Sequence, residues 1–357
     1  MKEIEKIIAD LVSIPSQGGV DDADGVLVYL EKRLLKKKIA HKMLRRGNKN
    51  VGLVVEIKNN SKAPTYVFNA VLDTALIGNI EAWNTDPFKP VVKKGWMYGR
   101  GAADGKAGAA IFLKILEELV NKKGKNNLIF YFDADEHTGL FNGTKAFIDK
   151  YPKADGVIIG YPGCEKIVIG SRGFYRAVAK VYGTTDHSGT KRVNHDNAIL
   201  KACEFIAKLK LPKVDVVKYP ISPKLSVTAI HGGQLFGIIP DLVEVNVDIR
   251  TTFDFKEKQA EKLLKETAKQ FDGGVKINKY ESWPAYMLSK NSKIRKIMEE
   301  AVKNAGFDIK SEVSGPSNVG NLFALNGIDT IAGFGVNYKH THEANECIDL
   351  ESIPKIY

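Results

Sequence analysis

Strand-like and helical segments alternate through the first 160 residues of the chain, and few folds accept that order. Apolar residues recur at helical spacing over residues 4–14, 26–38 and 107–120, with a further helix near 145–150. Runs rich in β-branched and aromatic residues predict strands at 51–57, 66–72, 128–132 and 156–159. Strands joined by helices pair in parallel, because the helix returns the chain to the end of the sheet where it started. The alternation predicts an α/β domain with a mostly parallel sheet flanked by helices.

The pattern changes near residue 170, where strands begin to outnumber helices. Strands are predicted at 173–182, 224–231, 242–250 and 275–280, and helices at 198–209 and 257–271. This order suits a small open-faced α+β sandwich. A helix at 294–305 and a strand at 330–332 then return to the first pattern. We therefore expect one α/β domain built from residues 1–169 and 284–357, with residues 170–283 inserted as a second domain.

Length and composition agree with two ordinary globular domains. The chain has 357 residues, of which 44% are hydrophobic and 27% charged. Its three cysteines form no Cys-x-x-Cys pair, so a disulfide scaffold is excluded. No run of 18 apolar residues predicts a membrane span, and the charged start does not match a secretory signal. We expect a cytoplasmic protein.

The net charge of +11 comes from 53 Lys and Arg residues against 42 Asp and Glu residues. The excess is mostly lysine scattered over helix faces, and it is densest over residues 32–49. Nucleic-acid binding usually shows an arginine-rich stripe interleaved with aromatic residues, or a known module, and neither occurs here. The charge favours a solvated surface over a nucleic-acid or membrane partner. A lysine-rich nucleic-acid binder is a third, weaker hypothesis.

Acidic residues and histidine cluster where predicted strands end. Asp73 follows the strand at 66–72, and Asp133, Asp135, Glu136 and His137 follow the strand at 128–132. Because parallel strands end at the same edge of a sheet, these loops should converge on one crevice. Carboxylates gathered in this way are costly unless a cation compensates them. The competing interpretation is that they are turn and helix-capping residues.

A third loop has the same character, and the three together resemble a known family. Its sequence, GRGAADGKAG, spans residues 99–108, contains Asp104 and precedes a predicted helix. The motifs that carry the resemblance occur in order along the chain: FNAVLDT at 68–74, YGRGAADGK at 98–106, DEHTG at 135–139, DHSG at 186–189, GG at 232–233, IPD at 239–241, DIR at 248–250 and HEANE at 342–346. They resemble the zinc-dependent amidohydrolase and exopeptidase family of acetylornithine deacetylase, succinyl-diaminopimelate desuccinylase, carboxypeptidase G and the aminoacylases. The resemblance implies a catalytic α/β domain with an inserted, ferredoxin-like dimerisation domain, and hence a homodimer.

The resemblance also implies roles for individual residues. Asp104 falls at the position of the metal-bridging carboxylate, and His342 at that of the last metal ligand. Glu136 falls at the position of the general base. His187 matches the histidine that steadies the developing oxyanion from the partner subunit. Arg250 matches the arginine that pairs with a substrate carboxylate, for which a planar guanidinium is well shaped.

Three positions depart from the family pattern. Val71 stands two residues before Asp73, where the family has its first histidine ligand. Position 137 carries histidine in place of the second glutamate of a pair, and Tyr161 stands where a later carboxylate is expected. Since valine cannot bind a metal and neutral tyrosine binds poorly, we expect one of the two usual zinc sites to be lost. Asp73, which orients the missing histidine in the family, should then lack that partner.

The other zinc site keeps a usable set of donors. Asp104, His137 and His342 provide one carboxylate and two imidazoles with a fourth position open, which is a plausible catalytic zinc set. Glu136 beside them would supply the base. We therefore expect a single-zinc hydrolase that cleaves the amide of an N-acyl amino acid or small peptide carrying a free carboxylate.

The alternative function is a catalytically inactive relative that keeps the cleft for binding or regulation. It is motivated by the departures at Val71 and Tyr161, and by Gly237 where the family commonly has a substrate-holding asparagine. In that case His137 would be a drifted residue, hydrogen-bonded to Asp135 or Asp104.

Less specific interpretations exist for the other candidates. His342 could belong to a surface loop, His187 could cap a turn, and Arg250 could form a surface ion pair of little energetic consequence. A catalytic role for Cys164 would need an electropositive setting that the sequence does not show. The remaining histidines carry no motif and are assigned structural roles: His41, His195 and His231.

Overall fold

The computed structural model describes residues 1–164, 166–192, 196–308 and 310–357, so His195 lies outside the described residues. The described chain forms two compact units. The first unit comprises residues 1–170, 288–312 and 322–357, and the second comprises residues 171–287 and 313–321. The sequence predicts the second domain at residues 170–283 and leaves residues 313–321 with the first domain.

The helices and strands are numbered here in chain order over the described residues. The helices are α1 (Lys2–Val12), α2 (Asp24–Lys36), α3 (Ala107–Leu119), α4 (Asn142–Lys150), α5 (Ala198–Lys208), α6 (Glu257–Lys269), α7 (Lys293–Asn304), α8 (Gly320–Leu325) and α9 (Ile353–Ile356). The strands are β1 (Lys42–Arg46), β2 (Lys49–Ile57), β3 (Thr65–Val71), β4 (Val91–Lys93), β5 (Trp96–Tyr98), β6 (Asn127–Asp133), β7 (Gly156–Ile159), β8 (Lys166–Ser171), β9 (Gly173–Tyr182), β10 (Asp186–His187), β11 (Lys224–Gly232), β12 (Ile238–Ile239), β13 (Leu242–Thr251), β14 (Val275–Trp283), β15 (Tyr286–Met287), β16 (Lys310–Ser314), β17 (Thr330–Gly333), β18 (Tyr338–Lys339) and β19 (Cys347–Asp349).

The large sheet of the first unit contains the strands β1-β2-β6-β3-β7-β17-β8 in that order. The four central strands β6, β3, β7 and β17 are parallel, and the flanking strands β1, β2 and β8 run antiparallel to their neighbours. This arrangement confirms the prediction of a mostly parallel sheet. All four central strands present their carboxyl ends at the same edge.

Helices cover this sheet because their apolar residues fall on one stripe. In α1 the buried residues are Ile4, Ile7, Ile8, Leu11 and Val12. This i, i+3, i+4, i+7, i+8 spacing aligns side chains on one helix face. They pack with α2 and α3 into the main core. Each such side chain stabilises the fold by about 1.5–3 kcal/mol when removed from water.

A small four-stranded sheet also belongs to the first unit, and the sequence did not predict it. Its strands are ordered β18-β19-β5-β4, and every pair is antiparallel. The ammonium group of Lys339 lies 4.2 Å from the ring centre of Trp96 across this sheet. The sheet brings residues near 98 next to residues near 347, which fixes two of the loops of the site.

The second unit contains a four-stranded antiparallel sheet in the order β11-β13-β9-β14. Helices α5 and α6 contribute Ala202, Phe205 and Leu264 to a separate apolar core with the strands. This agrees with the predicted α+β sandwich. None of the described helices has both the length and the apolar character that crossing a membrane requires.

Candidate metal centre

The first loop of the site follows β3. Because β3 and β6 are parallel, with Val71 opposite Asp133, both strands end at the same edge. Asp73 lies just beyond β3 and is 2% exposed. Its two carboxylate oxygens accept hydrogen bonds from the backbone amides of Glu136 (3.1 Å) and His137 (2.7 Å). Asp73 therefore holds the loop after β6 in place.

The second loop carries Asp104 between β5 and α3. The chain turns sharply at Gly101, whose φ is +81°, and a Cβ there would lie 2.4 Å from Cγ2 of Thr74. Glycine is therefore required by both conformation and space. The carboxylate of Asp104 is delivered to the carboxyl edge of the large sheet with a residue exposure of 9%.

The third loop joins β18 to β19 and carries His342. Three non-glycine residues of this loop, His340, His342 and Asn345, have φ between +59° and +64°. Such left-handed backbone is costly for these residues and persists only where surrounding contacts enforce it. The result is that Nε2 of His342 lies 2.8 Å from Oδ2 of Asp104.

Asp104, His137 and His342 come together as a single group of donors. One ligand atom from each lies within 4.8 Å of the other two. Nε2 of His137 is 3.6 Å from Oδ2 of Asp104, and the two imidazole rings have centroids 5.4 Å apart. Residues far apart in sequence thus place two imidazoles and one carboxylate close together, and their role as metal ligands stays a prediction.

The orientation of His137 leaves Nε2 free for a ligand. Its Nδ1 faces carboxylates, at 3.3 Å from Oε2 of Glu136 and 3.7 Å from Oδ1 of Asp73. A carboxylate beside one ring nitrogen commonly directs the other nitrogen toward a metal. The 3.7 Å between Nδ1 of His137 and Oδ1 of Asp73 is longer than a hydrogen bond, so the expectation that Asp73 lacks a histidine partner stays a prediction. Oδ2 of Asp135 accepts the backbone amide of Asn142 at 2.9 Å.

Electrostatics favour a positive charge at this point. Burial alone would lower the pKa of His137, but the carboxylates of Glu136, Asp104 and Asp73 raise it well above its usual range. A hydrogen bond to Asp104 likewise raises the pKa of His342. Burial opposes ionisation of Asp104, yet the two imidazoles beside it hold its pKa far below the ordinary value. The negative charge of these carboxylates can be balanced by protonation of the two histidines or by a cation bound between them.

The residues present fit a metal ion. Oδ1 of Asp104 and Nε2 of His137 are buried and have no hydrogen-bond partner among the residues that the structure describes. Buried polar atoms are normally paired, so these unpaired atoms require an explanation. Two imidazoles and one carboxylate are the donor types that zinc takes at catalytic sites. A zinc ion would satisfy these atoms.

Glu136 lies at the edge of this donor group and is held by Tyr161. The hydroxyl of Tyr161 donates a hydrogen bond of 3.1 Å to Oε1 of Glu136. Burial, with the charges of Asp104 and Asp73, raises the pKa of Glu136 to about 7. A carboxylate in this state accepts a proton readily near neutral pH, as a general base must.

The two remaining candidates belong to the second unit. His187 is exposed in β10, and its Nδ1 accepts the backbone amide of Gly189 at 3.0 Å, which is a turn contact of the kind given as its alternative. Nε of Arg250 lies 2.8 Å from Oδ1 of Asp248, and the guanidinium also donates to the hydroxyl of Ser317 at 3.1 Å. Their roles in oxyanion and carboxylate binding stay predictions.

Sequence reasoning overlooked two residues that shape the site, Arg100 and Glu346. Both are 1% exposed and they form an ion pair of 2.6 Å. The sequence does contain a signal for both residues, because each lies in a motif that also carries a candidate ligand. Arg100 precedes Asp104, and Glu346 follows His342. Fully buried charges in a loop are unusual enough to suggest a specific function.

Comparison with known proteins agrees with the fold. A sequence profile of peptidase family M20/M25/M40 matches residues 67–357. A succinyl-diaminopimelate desuccinylase of Pelagibacter ubique is 27% identical over 371 aligned positions, which cover 98% of this chain and 95% of that protein.

Two solved structures share the fold. An M20 family metallo-carboxypeptidase from Sulfolobus solfataricus has a TM-score of 0.84 at 21% identity, with 100% of this chain and 97% of the other covered. A tripeptidase from Staphylococcus aureus has a TM-score of 0.80 at 22% identity, with coverages of 99% and 95%. Because the profile spans most of the chain, this protein belongs to peptidase family M20/M25/M40 and is a hydrolase of its amidohydrolase and peptidase type.

Proposed function

We propose that the protein hydrolyses the amide bond of an N-acyl amino acid or small peptide with a free carboxylate, using a single zinc ion. The observation that carries this proposal is the group of Asp104, His137 and His342 beside the buried Glu136. These three donors would hold the ion. The chemistry supplied by bound zinc is Lewis-acid polarisation of the carbonyl and acidification of water.

The residues around the donors have separate tasks in this mechanism. Glu136 accepts the proton of the attacking water and delivers it to the leaving amine. Tyr161 donates to Oε1 of Glu136 and so restricts the orientation of its carboxylate beside the donor group. Asp73 fixes the backbone of Glu136 and His137 through two hydrogen bonds. These bonds hold the proposed base and the proposed ligand at a fixed distance from each other.

One ion is proposed because two family ligand positions hold residues that do not replace the usual donors. Val71 is 1% exposed and apolar. The hydroxyl of Tyr161 is engaged with Glu136, and burial, followed by the charges of Glu136 and Asp104, raises its pKa well above 10. Neutral tyrosine is a poor zinc ligand. The set centred on Asp104, His137 and His342 is unaffected by these changes.

The substrate class is proposed from the relatives. They are named as a succinyl-diaminopimelate desuccinylase, a metallo-carboxypeptidase and a tripeptidase. Arg250 is the proposed partner of the substrate carboxylate, and His187 the proposed stabiliser of the oxyanion. We also propose a homodimer, a cytoplasmic location, and no nucleic-acid or membrane partner.

The inactive alternative receives no support from the geometry or from the comparisons. An inactive site has no functional requirement that would keep a general base and three metal donors close together. Here Asp104, His137 and His342 meet beside Glu136, and His137 has acquired Asp73 as a neighbour.

Metal analysis and hydrolysis assays test the proposal together. Protein purified without chelator is expected to contain about one zinc per chain by elemental analysis. It should release amine from N-succinyl amino acids or from di- and tripeptides. A chelator should abolish this activity, and one equivalent of zinc should restore it. Zinc content far below one per chain, with no hydrolysis after zinc addition, would contradict the proposal.

The Tyr161→Phe variant tests whether the hydrogen bond from Tyr161 to the proposed base Glu136 contributes to catalysis. Loss of one hydrogen bond to a carboxylate costs about 1.5–3 kcal/mol, and each 1.4 kcal/mol is tenfold in rate. We expect kcat to fall by about tenfold or more, with zinc content unchanged. The matched control is Tyr151→Phe, whose hydroxyl donates to the carboxylate of Glu56 at 2.9 Å. Equal kcat values for wild type and Tyr161→Phe would remove Tyr161 from the mechanism.

A further inference from the structure

Glu346 is a buried carboxylate saturated with hydrogen bonds. One oxygen accepts the backbone amides of Ala103 (2.8 Å) and Asp104 (3.0 Å). The other accepts the guanidinium of Arg100 (2.6 Å) and the backbone amide of Gly101 (3.1 Å). Four donors from the loop around Asp104 therefore converge on a single side chain that belongs to the loop of His342.

Arg100 makes the same connection in the opposite direction. It belongs to the Asp104 loop, and a second nitrogen of its guanidinium donates to the backbone carbonyl of Glu343 at 3.1 Å. The guanidinium also lies over the ring of Trp83, 5.1 Å from its centre. Arg100 is thus fixed on both sides, and it ties down the residue that follows His342.

The loop that these contacts hold contains non-glycine residues in left-handed conformations. His342 and Asn345 have φ values of +64° and +63°. Asn345 is anchored separately, since it accepts the backbone amide of Asn84 (2.7 Å) and donates to the carbonyl of Ala82 (2.9 Å). Left-handed backbone at His342 is energetically costly, and the surrounding anchors offset this cost.

We propose that Glu346 and Arg100 are positioning residues that set the separation between Asp104 and His342. The proposal rests on the proposed zinc function. It extends that function to a pair of residues that need not touch the ion or the substrate. Each member reaches from one ligand loop into the other, so loss of either removes contacts that hold the two ligand loops together.

The chemistry requires a carboxylate at position 346. Glutamine has one accepting oxygen and one donating nitrogen. Whichever way its amide is turned, the nitrogen faces two donors: Ala103 and Asp104 on one side, or Arg100 and Gly101 on the other. Glu346→Gln therefore loses two hydrogen bonds and adds a repulsive contact while it keeps shape and volume.

The test is the zinc affinity of Glu346→Gln, measured by competition with a chromogenic chelator. Outer partners of metal ligands typically change affinity by 10- to 100-fold. We expect a loss in that range, together with an altered visible spectrum of the cobalt-substituted protein. The matched control is Glu117→Gln. Glu117 has a side chain 2% exposed and pairs with Arg33 at 2.5 Å between α2 and α3, so its loss should leave zinc affinity within about threefold.

The outcomes separate this inference from the proposed function. If wild-type protein binds no zinc, the proposed function fails and this inference fails with it. If wild type binds zinc and Glu346→Gln binds it equally well, only the positioning role is overturned. Equal losses in Glu346→Gln and Glu117→Gln would also overturn it, because general destabilisation would then explain both.

A second variant covers the case in which Glu346→Gln does not fold. Arg100→Lys keeps the charge beside Glu346 but cannot make both of the arginine's contacts. We expect weaker zinc binding than in wild type, with Arg33→Lys as control. Unchanged affinity in folded Arg100→Lys would contradict the proposed role of Arg100.

Discussion

Replacing Glu136 with glutamine is expected to lower kcat for amide hydrolysis by about 10²- to 10⁴-fold while zinc remains bound. General base catalysis contributes an effect of this size, and an amide cannot accept the proton. Zinc should remain because Glu136 is outside the group formed by Asp104, His137 and His342. Initial rates under saturating substrate, paired with elemental analysis of the same sample, provide the measurement.

The control for this substitution is Glu56→Gln. Glu56 is also a partly buried carboxylate that accepts a tyrosine hydroxyl, but it pairs with Lys42 and Lys58. Its replacement should leave kcat unchanged. Retention of more than a tenth of wild-type kcat by Glu136→Gln would exclude Glu136 as the base.

Replacing His137 with alanine is expected to weaken zinc binding by more than about 100-fold, beyond the range seen for outer partners. Only Asp104 and His342 would remain from the donor group, and two donors do not make a catalytic zinc site. Activity should disappear with the metal. Competition with a chelator measures the affinity, and added excess zinc shows whether any activity returns.

His41→Ala serves as the comparison for this variant. The His41 side chain is 11% exposed and that of His137 is 6% exposed. Nδ1 of His41 lies 3.0 Å from the carbonyl of Ile39. Zinc affinity should be unaffected by its removal. Wild-type zinc content in His137→Ala would show that His137 is not a zinc ligand.

The large sheet and its polar edge could be predicted because their signals are local. Strands such as β3 and β6 are seven residues long and strongly apolar, and Asp73 and Asp133 follow or end them directly. Polar loops after parallel strands must meet at one edge. The three donors were identified from their motifs, and the fold brings those motifs together.

The small sheet was missed for an equally physical reason. Strands β4, β5, β18 and β19 have only two or three residues, too few to show a period. The strand β1 (Lys42–Arg46) lies in the basic segment, and its charged residues leave no alternating apolar pattern that would predict a strand. The ion pair between Arg100 and Glu346 joins residues 246 positions apart. No pattern in the sequence around either residue predicts it. Likewise, the contact of Asp73 with the backbone of His137 depends on the register in which β3 pairs with β6, and the sequence does not give that register.

The order of the donors along the chain has a consequence for biosynthesis. Asp104 and His137 leave the ribosome well before the β18–β19 hairpin that carries His342, because translation proceeds from the amino end. The hairpin pairs with β5, made some 250 positions earlier, so the proposed centre can close only after translation has passed β19. The proposed hydrolytic activity therefore cannot begin before this hairpin has been made and has paired with β5.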